Sequence, residues 1–176
     1  MRGDQEAFAR LVDASIDRCY AVATLILRDR ESAHDAVQEA FVSAWRDIAS
    51  LRDPGAWEAW LYRLTVRSCY RHARKQRRRN VVELRVMPEH AAGAPDLAIG
   101  VAERDEIERR LGHLPVDQRA VIVVHFFLDL PLTDAARVLD IPVGTAKSRL
   151  HRALRSLRAA MRPESVEPQT VQERTA

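Results

Sequence analysis

The feature that most constrains this chain is the run Ile141-Pro-Val-Gly-Thr-Ala-Lys-Ser-Arg-Leu-His-Arg-Ala-Leu-Arg-Ser-Leu-Arg158. Leu150, Leu154 and Leu157 recur at helical spacing, with Ala146, Ala153 and Met161 near the same stripe. That pattern predicts a helix with one apolar face seated on a small core. Lys147, Arg149, Arg152, Arg155, Arg158 and Arg162 occupy the rest of its surface, and no acid lies between Val143 and Arg162. A solvated helix face usually mixes signs, whereas a face of one sign suits the neutralisation of phosphates. Upstream, residues 133–139 read as a short helix whose small residues let a second helix cross closely. Asp140 marks the turn, and Pro142 suits a helix start because it has no N–H to satisfy. Two short helices about a tight turn are the geometry that seats a helix in a DNA groove. The plainer reading, a solvated helix closing a bundle, does not account for the missing acids.

The net charge of +3 conceals a segregation. Eight Lys/Arg and no acid lie between Arg63 and Arg79, so 14 of the 28 basic residues fall in two stretches without a carboxylate. The other 14 face all 25 acids. Two basic strips on an acidic body bind a polyanion locally without coating the protein in it. At 176 residues the chain is long enough for one ordinary domain or two small ones. Cys19 and Cys69 form no metal or redox motif and read as small buried thiols. No signal peptide is evident, and the apolar run 120–124 is far too short for membrane insertion, so a cytoplasmic setting is expected. No nucleophile–base constellation, metal-ligand spacing or phosphate-binding glycine loop appears. The chain therefore reads as a binding protein, not an enzyme, with no cofactor and no metal.

Taken in order, residues 5–27 read as a helix with Phe8, Leu11, Val12, Ile16, Cys19 and Ala23 inward. Ser32 is the expected N-cap of a second helix, about 32–49, with Ala33, Ala36, Val37, Ala40, Phe41, Ala44, Trp45 and Ile48 buried. Its other side carries Asp35, Gln38, Glu39, Val42 and Arg46, either an ordinary solvated face or an acidic stripe for a basic partner helix. Asp53-Pro54-Gly55 is a strong turn. A third helix, about 56–74, turns Trp57, Trp60, Leu61, Leu64 and Ser68 inward and aligns Arg63, Arg67, Arg71, Arg74 and Arg78 in one stripe. Aromatics beside such a stripe offer unpaired bases a stacking surface and a track for their backbone. Core packing is the competing reading for Trp57 and Trp60, and one of the two is expected to be core. Residues 80–102 read as a linker, with a weak strand-like run at 81–86. Helices follow at 103–111 and 116–128, the second strongly apolar and the expected core of a second domain. The tail 163–176 reads as disordered. With no sustained period-2 alternation, the expected fold is all-α: a domain over 1–79 and a helix-turn-helix domain over 103–162.

These motifs together resemble the extracytoplasmic-function (ECF) sigma factors, the small two-domain branch of the bacterial sigma-70 family. Asp35-Ala-Val-Gln-Glu-Ala-Phe41 with Ala44-Trp45 is similar to region 2.2, and Ala59-Trp-Leu-Tyr-Arg-Leu64 to region 2.3. Leu114-Pro-Val-Asp-Gln-Arg119 resembles the approach to region 4.1, and residues 141–152 the region 4.2 recognition helix. The resemblance implies a subunit that binds the RNA polymerase core and recognises promoter DNA. Asp35, Gln38, Glu39 and Val42 would meet the polymerase, which favours the partner reading of that stripe. Arg52, Asp53, Trp57, Trp60, Arg63, Arg67, Arg71 and Arg74 would hold the melted −10 element. Thr145, Lys147, Ser148, Arg149, His151, Arg152 and Arg155 would meet the −35 element, with Arg149 and Arg152 nearest the bases. An anti-sigma factor is implied as a further partner. Three positions depart from the family pattern: Arg67 stands where Asn is frequent, Asp140 where Gly is usual in the turn, and Pro131 where a Ser cap is usual. Two other readings stay open: a stand-alone dimeric helix-turn-helix regulator, which leaves the second basic strip unexplained, and a sigma-like adaptor that binds polymerase without opening promoters.

Overall fold

The computed structural model describes residues 2–83 and 109–160. Three long helices form the first half: α1 (Arg2–Leu27), α2 (Arg30–Asp47) and α3 (Trp57–Glu83). After a helical stretch at 109–112, the second half comprises α4 (Val116–Ile122), α5 (Leu132–Val138) and α6 (Val143–Ala160). The described residues contain no strand.

The polar turn before α2 is built differently from the sequence expectation. Arg28 adopts a left-handed conformation (φ 59°), and Asp29, not Ser32, is the N-cap. Its Oδ2 accepts from the Ser32 amide at 2.8 Å, satisfying one of the helix's orphan donors. Asp53 does the same before α3, accepting from the Gly55 amide at 2.9 Å ahead of a single 3₁₀ turn over Pro54–Ala56. The third helix then runs to Glu83, well past the expected end near 74. Residues 80–83 are therefore helical, and the strand-like run at 81–86 is helical as far as it is described. Nothing between Arg74 and Glu83 is a helix breaker, so the composition change there is a change of charge only.

Burial on α1 also departs from simple periodicity. Ser15, Cys19, Val22, Ala23 and Ile26 are buried, while Ile16 is 41% exposed. The buried Trp57 explains the choice: its indole N–H donates to Ser15 Oγ at 3.2 Å, and a buried indole needs such an acceptor. Trp45, expected inside, is 44% exposed and packs edge-on against Phe8, with ring centres 4.9 Å apart.

Beyond Ile122, α4 continues as a π turn over Val123–Phe127, closed by the Leu128 amide donating to Val123 O. The extra residue per turn rotates the helix face. Val123, Val124 and Leu128 stay in the core, but Phe126 and Phe127 point outward, against the expectation that the whole run 116–128 is core. His125 Nδ1 donates to Leu130 O at 2.6 Å and ties the chain into the next turn.

The helix-turn-helix is formed by α5 and α6. Asp140 takes a left-handed conformation (φ 55°), its amide donating to Arg137 O and that of Ile141 to Ala136 O. Those two bonds are the Schellman pattern, usually built on glycine and tolerated by aspartate. Pro131 precedes α5 without a side-chain cap; its carbonyl accepts from the Asp134 and Ala135 amides instead.

The two halves are packed together. One apolar cluster runs from Cys19, Val22, Leu61 and Val66 through Val121, Val124, Val138 and Leu139, joining both sets of helices. A smaller cluster of Leu111, Leu114, Ile122 and Ala153 belongs to the second half, with Leu150, Leu154 and Leu157 against it. At the same junction the Arg28 guanidinium lies against Gly112, where any side chain would collide with it.

Candidate nucleic-acid interface

The two basic strips occupy separate helices, and the fold brings parts of them together. Arg63, Arg67 and Arg74 are exposed on α3, while Arg71 is half exposed and engaged. Arg67, Arg71, Arg74 and Arg77 form one wall of a cleft of about 1190 Å³, and Arg119 and Arg149 reach it from the second half.

Arg71 is held from α2. Its Nη2 lies 3.1 Å from Glu39 Oε1, and the other carboxylate oxygen accepts from Ser68 Oγ at 2.6 Å and lies 3.2 Å from His72 Nε2. Burial alone would raise the Glu39 pKa, but Ser68, Arg71 and His72 together hold it below the ordinary value. Glu39 thus turns toward α3, whereas Asp35, Gln38 and Val42 remain exposed along the same helix.

Of the two tryptophans, Trp57 is the core residue, 7% exposed, and Trp60 is partly exposed with its ring 5.7 Å from that of Trp57. Phe8 completes the cluster, edge-on to Trp57 at 6.0 Å. Trp60 therefore presents part of an aromatic surface beside the start of the arginine stripe, and Arg52 and Asp53, in the turn before α3, are exposed.

On α6, Lys147, Ser148, His151, Arg152 and Arg155 are exposed, and Thr145 is half-buried. Ser148 Oγ donates to Thr145 O, and Arg152 Nε donates to Ser148 O at 3.2 Å, so Arg152 lies along the helix. Arg149 is placed differently. Its Nε lies 3.2 Å from Asp117 Oδ2, and its side chain is only 22% exposed. It also approaches Tyr70 of α3, whose phenol is pushed up to about 12, chiefly by burial. Arg119 is a structural member of this group. It is buried, its Nη2 donates to Leu114 O at 3.0 Å, and burial together with nearby Arg28 lowers its pKa to about 10.

His72, Tyr70 and the pairing of Asp117 escape the sequence reading, and Ser68 is there only as an inward position, which its burial bears out. Ser68, Arg71 and His72 share a helix face, but their partner Glu39 lies 29 residues from Ser68, and no local pattern announces that pairing.

Residues 11–79 match the family described as Sigma-70 region 2, and residues 104–157 match Sigma-70, region 4. The chain belongs to the ECF sigma factors of the sigma-70 family. It is 30% identical to the ECF RNA polymerase sigma factor SigW of Bacillus subtilis, over 92% of each chain. It is 33% identical to the ECF sigma factor SigM of Mycobacterium tuberculosis, over 86% of this chain and 75% of that one. Among solved structures it resembles the sigma factor RpoE of Bartonella quintana in complex with the anti-sigma factor NepR. That likeness has a TM-score of 0.74 at 25% identity and covers 88% of this chain and 96% of that one. CnrH in complex with the cytosolic domain of CnrY is similar over 90% of each chain, with a TM-score of 0.63 at 25% identity. This ECF sigma factor is a promoter-recognising subunit of the all-α, two-domain type. None of its described helices is long and apolar enough to cross a membrane.

Proposed function

We propose that this sigma factor divides promoter recognition between α6 and α3, with α2 presenting the polymerase-binding face. The observation that carries this reading is the pair of arginine-rich, acid-free helix faces on separate halves of the fold. On α6, Lys147, Ser148, His151, Arg152 and Arg155 contact −35 DNA through phosphates and base edges, with Thr145 and Arg149 at the margin. On α3, Arg63, Arg67, Arg71 and Arg74 track the phosphates of the melted −10 strand, while Trp60 offers a stacking surface. Arg52 and Asp53 border the loop that receives a base, and Trp57 supports Trp60 from the core. Asp35, Gln38 and Val42 meet the polymerase, while Glu39 turns away from them toward α3. The domains divide near 79 and 103, now with α3 extending to Glu83.

The protein catalyses no reaction in this reading and works in the cytoplasm. Open promoter DNA gains contacts that closed DNA lacks, and that difference shifts the equilibrium toward the open complex. An anti-sigma factor is the proposed inhibitor, supported by a likeness to RpoE bound to NepR that extends over both halves.

Run-off transcription with purified bacterial core polymerase and fragments of the native genome tests the reading. Specific transcripts that depend on the added protein are expected. Core binding without any transcript would favour an adaptor. Sequence-specific DNA binding by the protein alone, without core binding, would favour the dimeric regulator.

A further inference from the structure

Glu39 sits at the edge of the exposed face of α2, yet both of its carboxylate oxygens are taken by α3. Oε1 meets Arg71 Nη2 at 3.1 Å, and Oε2 meets Ser68 Oγ at 2.6 Å and His72 Nε2 at 3.2 Å. Ser68 is fully buried, and its hydroxyl also accepts from Arg71 Nη2 at 3.3 Å. One nitrogen of the guanidinium is thus fixed by two acceptors on two helices. Arg67 and Arg74, its neighbours in the stripe, form no ion pair among the described residues.

We infer that Glu39 is a positioning residue for the −10 strand, acting through Arg71, and not principally a polymerase contact. A free arginine loses considerable rotamer freedom when it grips a phosphate, and its planar fork rewards pre-organisation. The Glu39–Ser68 pair removes that freedom before DNA arrives. It engages Nη2, the nitrogen that both forks of a guanidinium share, and leaves Nε and Nη1 of Arg71 each to meet a phosphate oxygen singly. The carboxylate's charge is shared with Ser68 and His72 as well as Arg71, which limits its repulsion of the incoming strand. The pairing also connects the polymerase-binding helix to the DNA-binding helix through one side chain. This inference rests on the sigma-factor reading and deepens it.

The test uses holoenzyme assembled from core polymerase and the full chain, with a fluorescent single strand carrying the non-template −10 segment of a promoter found by run-off. Core affinity is measured separately by competition. Glu39→Gln is expected to weaken strand binding about threefold to fivefold, the range for a partly exposed ion pair, while leaving core affinity within a factor of two. Ser68→Ala is expected to act in the same direction and guards against a folding defect in the first variant. In an Arg71→Ala background, Glu39→Gln is expected to add no further loss, because its only route to the strand is gone. A purely structural role would add its loss there too and would overturn the inference. So would a gain in strand affinity, which would make Glu39 a mask over Arg71. A loss of core affinity matching that of Asp35→Lys would return Glu39 to the polymerase contact. Wild-type protein that binds no core polymerase would remove the sigma-factor reading itself, a result distinct from all of these.

Discussion

Replacing Asp117 by Asn removes a charge and almost no volume, and the structure sets the size of the effect. Asp117 Oδ2 lies 3.2 Å from Arg149 Nε, tying the recognition helix to α4. At that distance and an effective dielectric of about 20, two unit charges attract by about 5 kcal/mol. Desolvation of an arginine that is 22% exposed offsets much of this. Asp117 is 42% exposed, so solvent screens the remainder toward surface-pair values. A net coupling of about 1 kcal/mol follows, equivalent to about 3 °C in Tm for a chain of this size. The assay is urea unfolding of the wild type, Asp117→Asn, Arg149→Ala and the double variant, without DNA. A coupling energy of about 1 kcal/mol is expected from the cycle, while Arg152→Ala, exposed and without an acidic partner among the described residues, changes stability by less than about 0.5 kcal/mol. A coupling indistinguishable from zero would refute the reasoning. Arg149 would then be as unrestrained as the exposed residues around it, and its placement beside Asp117 would carry no energy.

Two further outcomes follow from the turn and from the buried thiols. Asp140 holds φ 55° in the turn of the helix-turn-helix. Asp140→Gly should therefore leave stability unchanged or raise it by up to about 1 kcal/mol, and Asp140→Val should lower it by about 1–2 kcal/mol, read as shifts in the urea midpoint. Burial raises the thiol of Cys19 from 9.0 to about 11 and that of Cys69 from 9.0 to about 12. Their contribution is complete below pH 9.0, where both folded and unfolded chains keep the thiols neutral. Above that pH the unfolded chain ionises first, so stability should fall as the pH rises toward 11 and 12. Unfolding midpoints at stepped alkaline pH should show a shallower fall in a Cys19→Ala/Cys69→Ala protein, and equal slopes would refute the assignment.

Local chemistry was enough for much of this protein. The stripe of Leu150, Leu154 and Leu157 under a one-sign surface specifies α6, because a helix of period 3.6 separates those residue types onto two faces whatever it packs against. The turn at Asp140, the break at Asp53-Pro54-Gly55 and the arginine spacing of α3 are likewise local, since they depend on backbone preference and helix periodicity. The charge segregation that leaves α3 and α6 with acid-free basic faces is a property of composition along the chain. What tertiary structure decided is which of two equally periodic positions goes inside and which charge meets which. Ser15 displaced Ile16 from the core because Trp57 needed an acceptor, and the π turn swung Phe126 and Phe127 outward. Arg149 was drawn from the exposed set by Asp117, and Glu39 was drawn from the exposed face of α2 by Ser68, Arg71 and His72. Such pairings join residues tens of positions apart, and only the packing of helix against helix brings their charges within reach.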